Sequence, residues 1–264
     1  MTRLASVFAG RDHAALIAFV TVGYPTVEAT LEAVPLLEKC GVDVVELGIP
    51  FSDPMADGVT IQQASYKALQ NGITPAKCLE TARLIRQKVD IPLLFMTYYN
   101  PVFRYGLDLF CADSSCAGID GLIIPDLPLD EAGLLEKATL GYNLDLIFLI
   151  APTSPEHRIK EIAQRSRGFI YLVSVTGITG MRKNLPLGLN RLVSKVRRLS
   201  AKPLCMGFGI STPEQAAEVA VSVDGVIIGS SIVHLMGSEK DWKPAVFEFI
   251  CSVKKALVET GTLL

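Results

Sequence analysis

Pro203-Leu204-Cys205-Met206-Gly207, then Thr212-Pro213 opening an amphipathic stretch to Val221, then Gly225-Val226-Ile227-Ile228, form a strand, a helix and a second strand in succession. A short apolar run, a helix begun by Thr and Pro, and a return to a short apolar run is the pattern of a parallel crossover. Outward from this unit the same alternation runs along the whole chain. Eight strands can be marked: Leu16 to Thr21, Val42 to Leu47, Leu93 to Thr97, Gly121 to Ile124, Asp145 to Ile150, Phe169 to Val173, Pro203 to Gly207 and Gly225 to Ile228. Helical stretches such as Glu131 to Leu140, Pro155 to Arg167, Leu189 to Leu199 and Pro213 to Val221 lie between them. The 264 residues are close to the ~250 typical of a (β/α)₈ barrel. The expected fold is α/β, a single TIM barrel over residues 1–264 with an extra N-terminal helix.

A doubly wound open sheet is the competing architecture, but it usually carries a GxGxxG turn after its first strand, and that turn is absent. Pro35 interrupts the helix expected between Thr26 and Cys40, so that helix should kink or start late. The crossover from Leu47 to Leu93 is much longer than the others and has room for a functional loop and a further helix. In a barrel the loops after the strand C-termini build the active site, so this insertion draws attention first.

Composition narrows the class of function. Net charge is −2 with no basic run, which removes the electrostatic footprint of a nucleic-acid binder. Mean hydropathy is +0.38, yet the apolar runs are of strand length and no segment is expected to span a membrane. Met1 to Gly10 lacks the features of a secretory signal, so a cytoplasmic location is expected. Cys40, Cys78, Cys111, Cys116, Cys205 and Cys251 contain no CxxC pair and are expected to be buried reduced thiols. His13, His157 and His234 fall in no nucleophile motif and are assigned no chemistry.

One acid stands out in Val44-Val45-Glu46-Leu47-Gly48-Ile49-Pro50, near the end of an otherwise apolar strand. Burying an ionised Glu is costly, so its pKa should rise or it must find a partner in a structural salt bridge or hydrogen bond. The following loop, Phe51-Ser52-Asp53-Pro54-Met55-Ala56-Asp57-Gly58-Val59-Thr60-Ile61-Gln62, adds two acids before a helix. Read alone, Asp57 could cap that helix.

The run from Glu46 to Gln62 resembles the signature of the tryptophan synthase α subunit family, with Val59 where the family usually has Pro. The resemblance extends over essentially the whole chain, including Phe19-Val20-Thr21-Val22-Gly23 and Thr97-Tyr98-Tyr99-Asn100-Pro101. It implies cleavage of indole-3-glycerol phosphate into indole and glyceraldehyde 3-phosphate in tryptophan biosynthesis. By motif position Glu46 resembles the general acid/base, and Asp57 the carboxylate that holds the indole nitrogen. Phe19, Met96, Tyr98, Ile123 and Tyr171 align with the apolar indole pocket. Without the resemblance, each of these five reads as a core residue at a strand end.

Gly207-Phe208-Gly209-Ile210-Ser211-Thr212-Pro213 and Gly229-Ser230-Ser231 follow the last two strands, where barrels commonly hold phosphate. Glycine lets backbone N–H groups approach the anion and a short helix N-terminus adds its dipole, although glycine also makes ordinary turns. The resemblance assigns Gly207, Gly209, Gly229 and Ser230 to the phosphate, joined by Gly180. The loop from Val173 to Asn184, with two glycines and two threonines, reads as a lid or as a merely disordered loop; the resemblance favours the lid, with Thr179 reaching toward Asp57 on closure.

The chemistry implied is protonation of indole C3 while the glycerol-side hydroxyl loses its proton, which one carboxyl near neutral pKa could do in turn. Positive charge developing on the indole nitrogen would favour a carboxylate beside it. The resemblance implies no metal and no cofactor in this subunit. Pyridoxal phosphate is expected in the β subunit, the partner in an αββα assembly, with Asp53 and Pro54 at or near the interface. A stand-alone lyase releasing free indole, a module that only activates the β subunit, and another phosphosugar enzyme of the same fold remain as alternatives.

Overall fold

The computed structural model describes residues 2–173, 189–207, 209–238 and 241–261. Among the described residues nine strand segments make one parallel sheet: β1 (Ala15–Thr21), β2 (Val44–Gly48), β3 (Leu93–Met96), β4 (Gly121–Ile123), β5 (Asp145–Ile147), β6 (Leu149–Ile150), β7 (Ile170–Val173), β8 (Leu204–Gly207) and β9 (Gly225–Ile228). Their order is β5-β4-β3-β2-β1-β9-β8-β7-β6. The two sheet edges are successive pieces of the expected fifth strand, separated only by Phe148. One piece pairs with β4 and the other with β7, so the sheet curls into a nearly closed TIM-like barrel with eight strand positions.

The helices are α1 (Arg3–Val7), α2 (Val27–Lys39), α3 (Val59–Gln70), α4 (Pro75–Arg86), α5 (Tyr99–Tyr105), α6 (Leu107–Cys116), α7 (Gly133–Gly141), α8 (Glu156–Arg165), α9 (Leu189–Arg197), α10 (Pro213–Ala220), α11 (Ser230–Ser238) and α12 (Trp242–Gly261). The expected N-terminal extra helix is α1. The long crossover after β2 holds two helices, α3 and α4. No helix among the described residues is long and apolar enough to cross a membrane.

Strand alternation creates two separate apolar layers. Leu16, Ala18 and Val20 of β1 face outward into a core shared with the helices, as do Val45 and Leu47 of β2. Ile17, Phe19, Val44, Leu94, Met96, Ile123, Ile147, Tyr171, Cys205 and Ile227 fill the barrel interior, with Leu4 of α1 packed among them from the N-terminal end. Glu46 is two residues on from the inward-facing Val44. The period of two therefore turns its side chain into the barrel.

The barrel's N-terminal end is sealed by a recurring acid that the sequence reading passed over. Asp43, Asp120 and Asp224 each precede a strand and accept the backbone N–H of Leu16, Leu93 and Leu204 on the neighbouring strand, at 2.8, 2.9 and 2.7 Å. Each also holds a cation: Arg11 and Lys254 on Asp43, Arg3 and Arg86 on Asp120, and Arg197 on Asp224. Asp145 is buried and takes Arg167 Nε at 3.0 Å and the Thr2 hydroxyl at 2.8 Å. These charges tie strand starts to the helices and leave the opposite end for chemistry.

Two expectations need correction. The helix containing Pro35 does not start late: it begins at Val27 and is assigned continuously to Lys39. Thr26 caps it by accepting from Ala29 N at 3.1 Å, and a buried face of Ala29, Thr30, Ala33, Val34 and Leu37 offsets the bond that Pro35 cannot make. Not every thiol is buried either: Cys40, Cys78, Cys111 and Cys205 are, while Cys251 is half-buried and Cys116, the last residue of α6, is exposed.

Candidate active site

At the C-terminal end of the strands a cavity of about 490 Å³ opens, with Glu46 and Asp57 in its wall. The carboxyl of Glu46 is wholly shielded from solvent, and neither oxygen has a hydrogen-bond partner among the described residues. Burial without compensation favours the neutral acid, and it pushes the pKa up to about 8. The structural alternative, a salt bridge or hydrogen bond that satisfies this acid, is not present among the described residues.

Asp57 comes from the loop that leads into α3. The N-cap of α3 is Gly58 and makes no side-chain cap bond, so Asp57 is not spent on capping. Its Oδ2 accepts from the Tyr98 hydroxyl at 3.1 Å, and that hydroxyl accepts in turn from Ala56 N at 2.9 Å. Phe51 stacks on Tyr98 with ring centroids 5.2 Å apart. Tyr98 thus bonds two successive residues of the turn, Ala56 and Asp57. Burial raises the Asp57 pKa to about 6 against the lowering effect of the Tyr98 bond. Val59, the first residue of α3, sits where the backbone N–H has no intrahelical partner, so the helix start does not depend on a proline there.

Apolar side chains make the rest of the wall: Phe19, Met96 and Tyr171 from the barrel interior, joined by Ile61, Ile210 and Ile227. Register explains the grouping. Phe19, Glu46 and Leu94 are aligned on β1, β2 and β3, and Gly48, Met96 and Ile123 form the next level toward the mouth. A Cβ on Gly48 would strike the Phe19 ring, so this glycine makes room for the pocket's floor. Ile123 packs in the interior cluster beside Met96, and Tyr98 lies behind Asp57 rather than on the cavity surface.

Of the glycines expected around phosphate, Gly209 and Gly229 line the cavity together with Ser230. Gly209 has φ of +84° and open space where a Cβ would stand, which leaves bare backbone facing the cavity. Gly229 and Ser230 stand at the N-terminus of α11, where the first N–H groups of a helix lack intrahelical partners. Gly207 answers to a different demand: a Cβ there would collide with the Tyr171 hydroxyl. Gly180 and Thr179, with the remainder of the expected lid beyond Val173, lie outside the described residues. Asp53 is exposed on the rim beside Met55, which is 90% exposed. The sequence reading missed Ile61 and Ile210, apolar residues next to polar motif positions, and Phe51, whose contact with Tyr98 is visible only in three dimensions.

The tryptophan synthase alpha chain family model matches residues 6–258, nearly the entire barrel. The chain belongs to the tryptophan synthase alpha chain family. A tryptophan synthase alpha chain from Dehalococcoides mccartyi is 52% identical over 257 residues, which cover 97% of this chain and 100% of that relative. Among solved structures, tryptophan synthase from Mycobacterium tuberculosis superposes with a TM-score of 0.91 at 37% identity, over 97% of this chain and 98% of that one. The alpha chain from Legionella pneumophila superposes with a TM-score of 0.89 at 34% identity, over 97% of each chain. As a tryptophan synthase alpha chain, the protein is a lyase of tryptophan biosynthesis that cleaves indole-3-glycerol phosphate to indole and glyceraldehyde 3-phosphate. Alpha chains use no cofactor; the pyridoxal phosphate of tryptophan synthase is in the β subunit.

Proposed function

We propose that Glu46 and Asp57 divide the cleavage between them, on one TIM-barrel domain over residues 1–264. The observation that carries this reading is the separation of two acids on one cavity, with Glu46 neutral up to about pH 8 and Asp57 ionised above about pH 6. Glu46 gives its proton to indole C3 and afterwards takes one from the glycerol-side hydroxyl as the carbonyl forms. Protonating C3 places positive charge on the indole ring nitrogen, and the Asp57 carboxylate stabilises that charge where it develops. Phe19, Met96 and Tyr171 hold the indole, with Tyr98 and Ile123 supporting them. Gly209, Gly229 and Ser230 hold the phosphate through backbone N–H groups and the α11 dipole. Gly207 serves this cradle by leaving room for Tyr171, and Gly180 and Thr179 belong to a lid over the substrate.

The proposed partner is a tryptophan synthase β subunit, docked on the cavity rim in an αββα assembly, with Asp53 and Pro54 at or near the contact. Indole is small and apolar, so an enzyme that hands it on gains by placing its cavity mouth against the next enzyme. Indole release from indole-3-glycerol phosphate by the purified chain, with and without a matching β subunit, tests the reading. Slow turnover alone and acceleration by the partner support it, with Asp53→Ala reducing the acceleration more than the basal rate. Full activity alone with no response to a β subunit would instead fit a stand-alone lyase, and no indole at all would fit an activating module.

A further inference from the structure

At the end of the barrel opposite the cavity, the C-cap of α2 rests on three successive turns of α12. Cys40 Sγ lies 3.9 Å from the Phe247 carbonyl oxygen, and a Cβ on Gly41 would stand 3.2 Å from Lys254 Cγ. Lys254 Nζ reaches Asp43 at 2.9 Å. Cys251 is one helical turn beyond Phe247, on the same face, which sets its thiol next to that of Cys40. Cys40 is buried and Cys251 half-buried, so Cys251 is the more accessible residue of the pair.

We propose that Cys40 and Cys251 form a thiol modification site, a dithiol that a hydroperoxide converts to a reversible disulfide. The Cys251 thiolate attacks the peroxide oxygen, giving a sulfenic acid and releasing an alcohol or water. Cys40 sulfur then displaces the sulfenic oxygen, which leaves as water with the thiol proton. Two thiols and one hydroperoxide become one disulfide, one alcohol (or water) and one water. Burial, reinforced by Cys251, holds the Cys40 thiol up to about 12 and keeps it protonated, which leaves the first attack to Cys251. The bond closes a loop of roughly 210 residues and ties the helix after β1 to the last helix, a long-loop cross-link of the kind expected to stabilise most. It lies at the end where Asp43 seals the strands, and neither cysteine is among the described residues that line the cavity, so turnover stays unchanged while heat resistance rises.

The test uses the full chain with Cys116→Ser, treated with hydrogen peroxide, blocked with a maleimide and analysed by intact mass and peptide mapping. Expected are a single linked peptide pair containing Cys40 and Cys251, a Tm higher by about 5 °C or more that dithiothreitol reverses, and unaltered indole release. Cys251→Ser, a change at a half-buried position, should lose both the link and the Tm gain. Recovery of Cys40 and Cys251 as separately maleimide-labelled or over-oxidised residues, or the same Tm gain in Cys251→Ser, overturns the proposal.

Discussion

The hydroxyl of Tyr98 donates to Asp57 Oδ2 at 3.1 Å while accepting from Ala56 N at 2.9 Å. An aromatic residue aligned with the apolar pocket therefore also sets the position and charge of an acid. Removing that hydroxyl in Tyr98→Phe takes away the bond that lowers the Asp57 pKa. The acid limb of kcat/KM should move to higher pH, and kcat should fall about tenfold or more, the scale of a lost hydrogen bond to a charged group. Tyr98→Phe with a wild-type pH profile would reduce Tyr98 to a packing residue.

The wild-type pH profile follows from the two acids. Activity requires Asp57 ionised and Glu46 protonated, so kcat/KM should rise as pH climbs through about 6 and decline as it passes about 8. Steady-state kinetics across that range measures both limbs. Asp57→Asn should abolish most turnover together with the acid limb, and a limb that survives in this variant belongs to another group.

Stability should respond in a direction set by Glu46. Its carboxyl has an ordinary value of 4.5 and is pushed up to about 8 in the folded chain. Between those values the folded state keeps a proton that the unfolded state releases. Stability is therefore full below about 4.5, falls as pH rises, and reaches its lower level above about 8. The burden at the upper end is on the order of a few kcal/mol. Glu46→Gln carries no such burden, so its Tm advantage over wild type should widen from about pH 5 to about pH 9. Parallel Tm curves for the two proteins would show that Glu46 is not held neutral by burial.

Gly209→Val tests the phosphate cradle. The φ of +84° disfavours a β-branched residue, and the added side chain enters the cavity where backbone now faces it. KM should rise about tenfold or more with a smaller change in kcat, because both acids are untouched. Equal weakening of a substrate analogue that lacks phosphate would assign Gly209 to loop folding alone.

Much of this was legible in one dimension because the signals are local. Each of the eight strands is a short apolar run, and all eight lie within a few residues of the expected positions. Glu46 shows itself as a single charge in an apolar strand. What escaped the sequence depends on contacts between distant residues. Phe51 and Tyr98 meet only when the loop after β2 folds back over β3. The break at Phe148 reflects barrel closure, where one strand must serve two neighbours. The Asp43, Asp120, Asp145 and Asp224 seals share a local pattern, an apolar residue and then Asp at a strand start, but their partners are on other strands and helices. Pro35 does not delay its helix, because the Thr26 cap and the buried face hold the turns that precede it.

Indole formation by Glu46→Gln is the most direct measurement of the central claim, made alongside binding of a glycerol-phosphate ligand to the same preparation. The amide keeps the shape of the side chain but cannot carry the proton between indole C3 and the departing hydroxyl. The expected result is a folded variant with at least wild-type Tm, retained ligand binding and turnover lowered by about a hundredfold or more, the scale of a lost general acid/base. Near-normal turnover in that folded, ligand-binding variant would contradict the assignment.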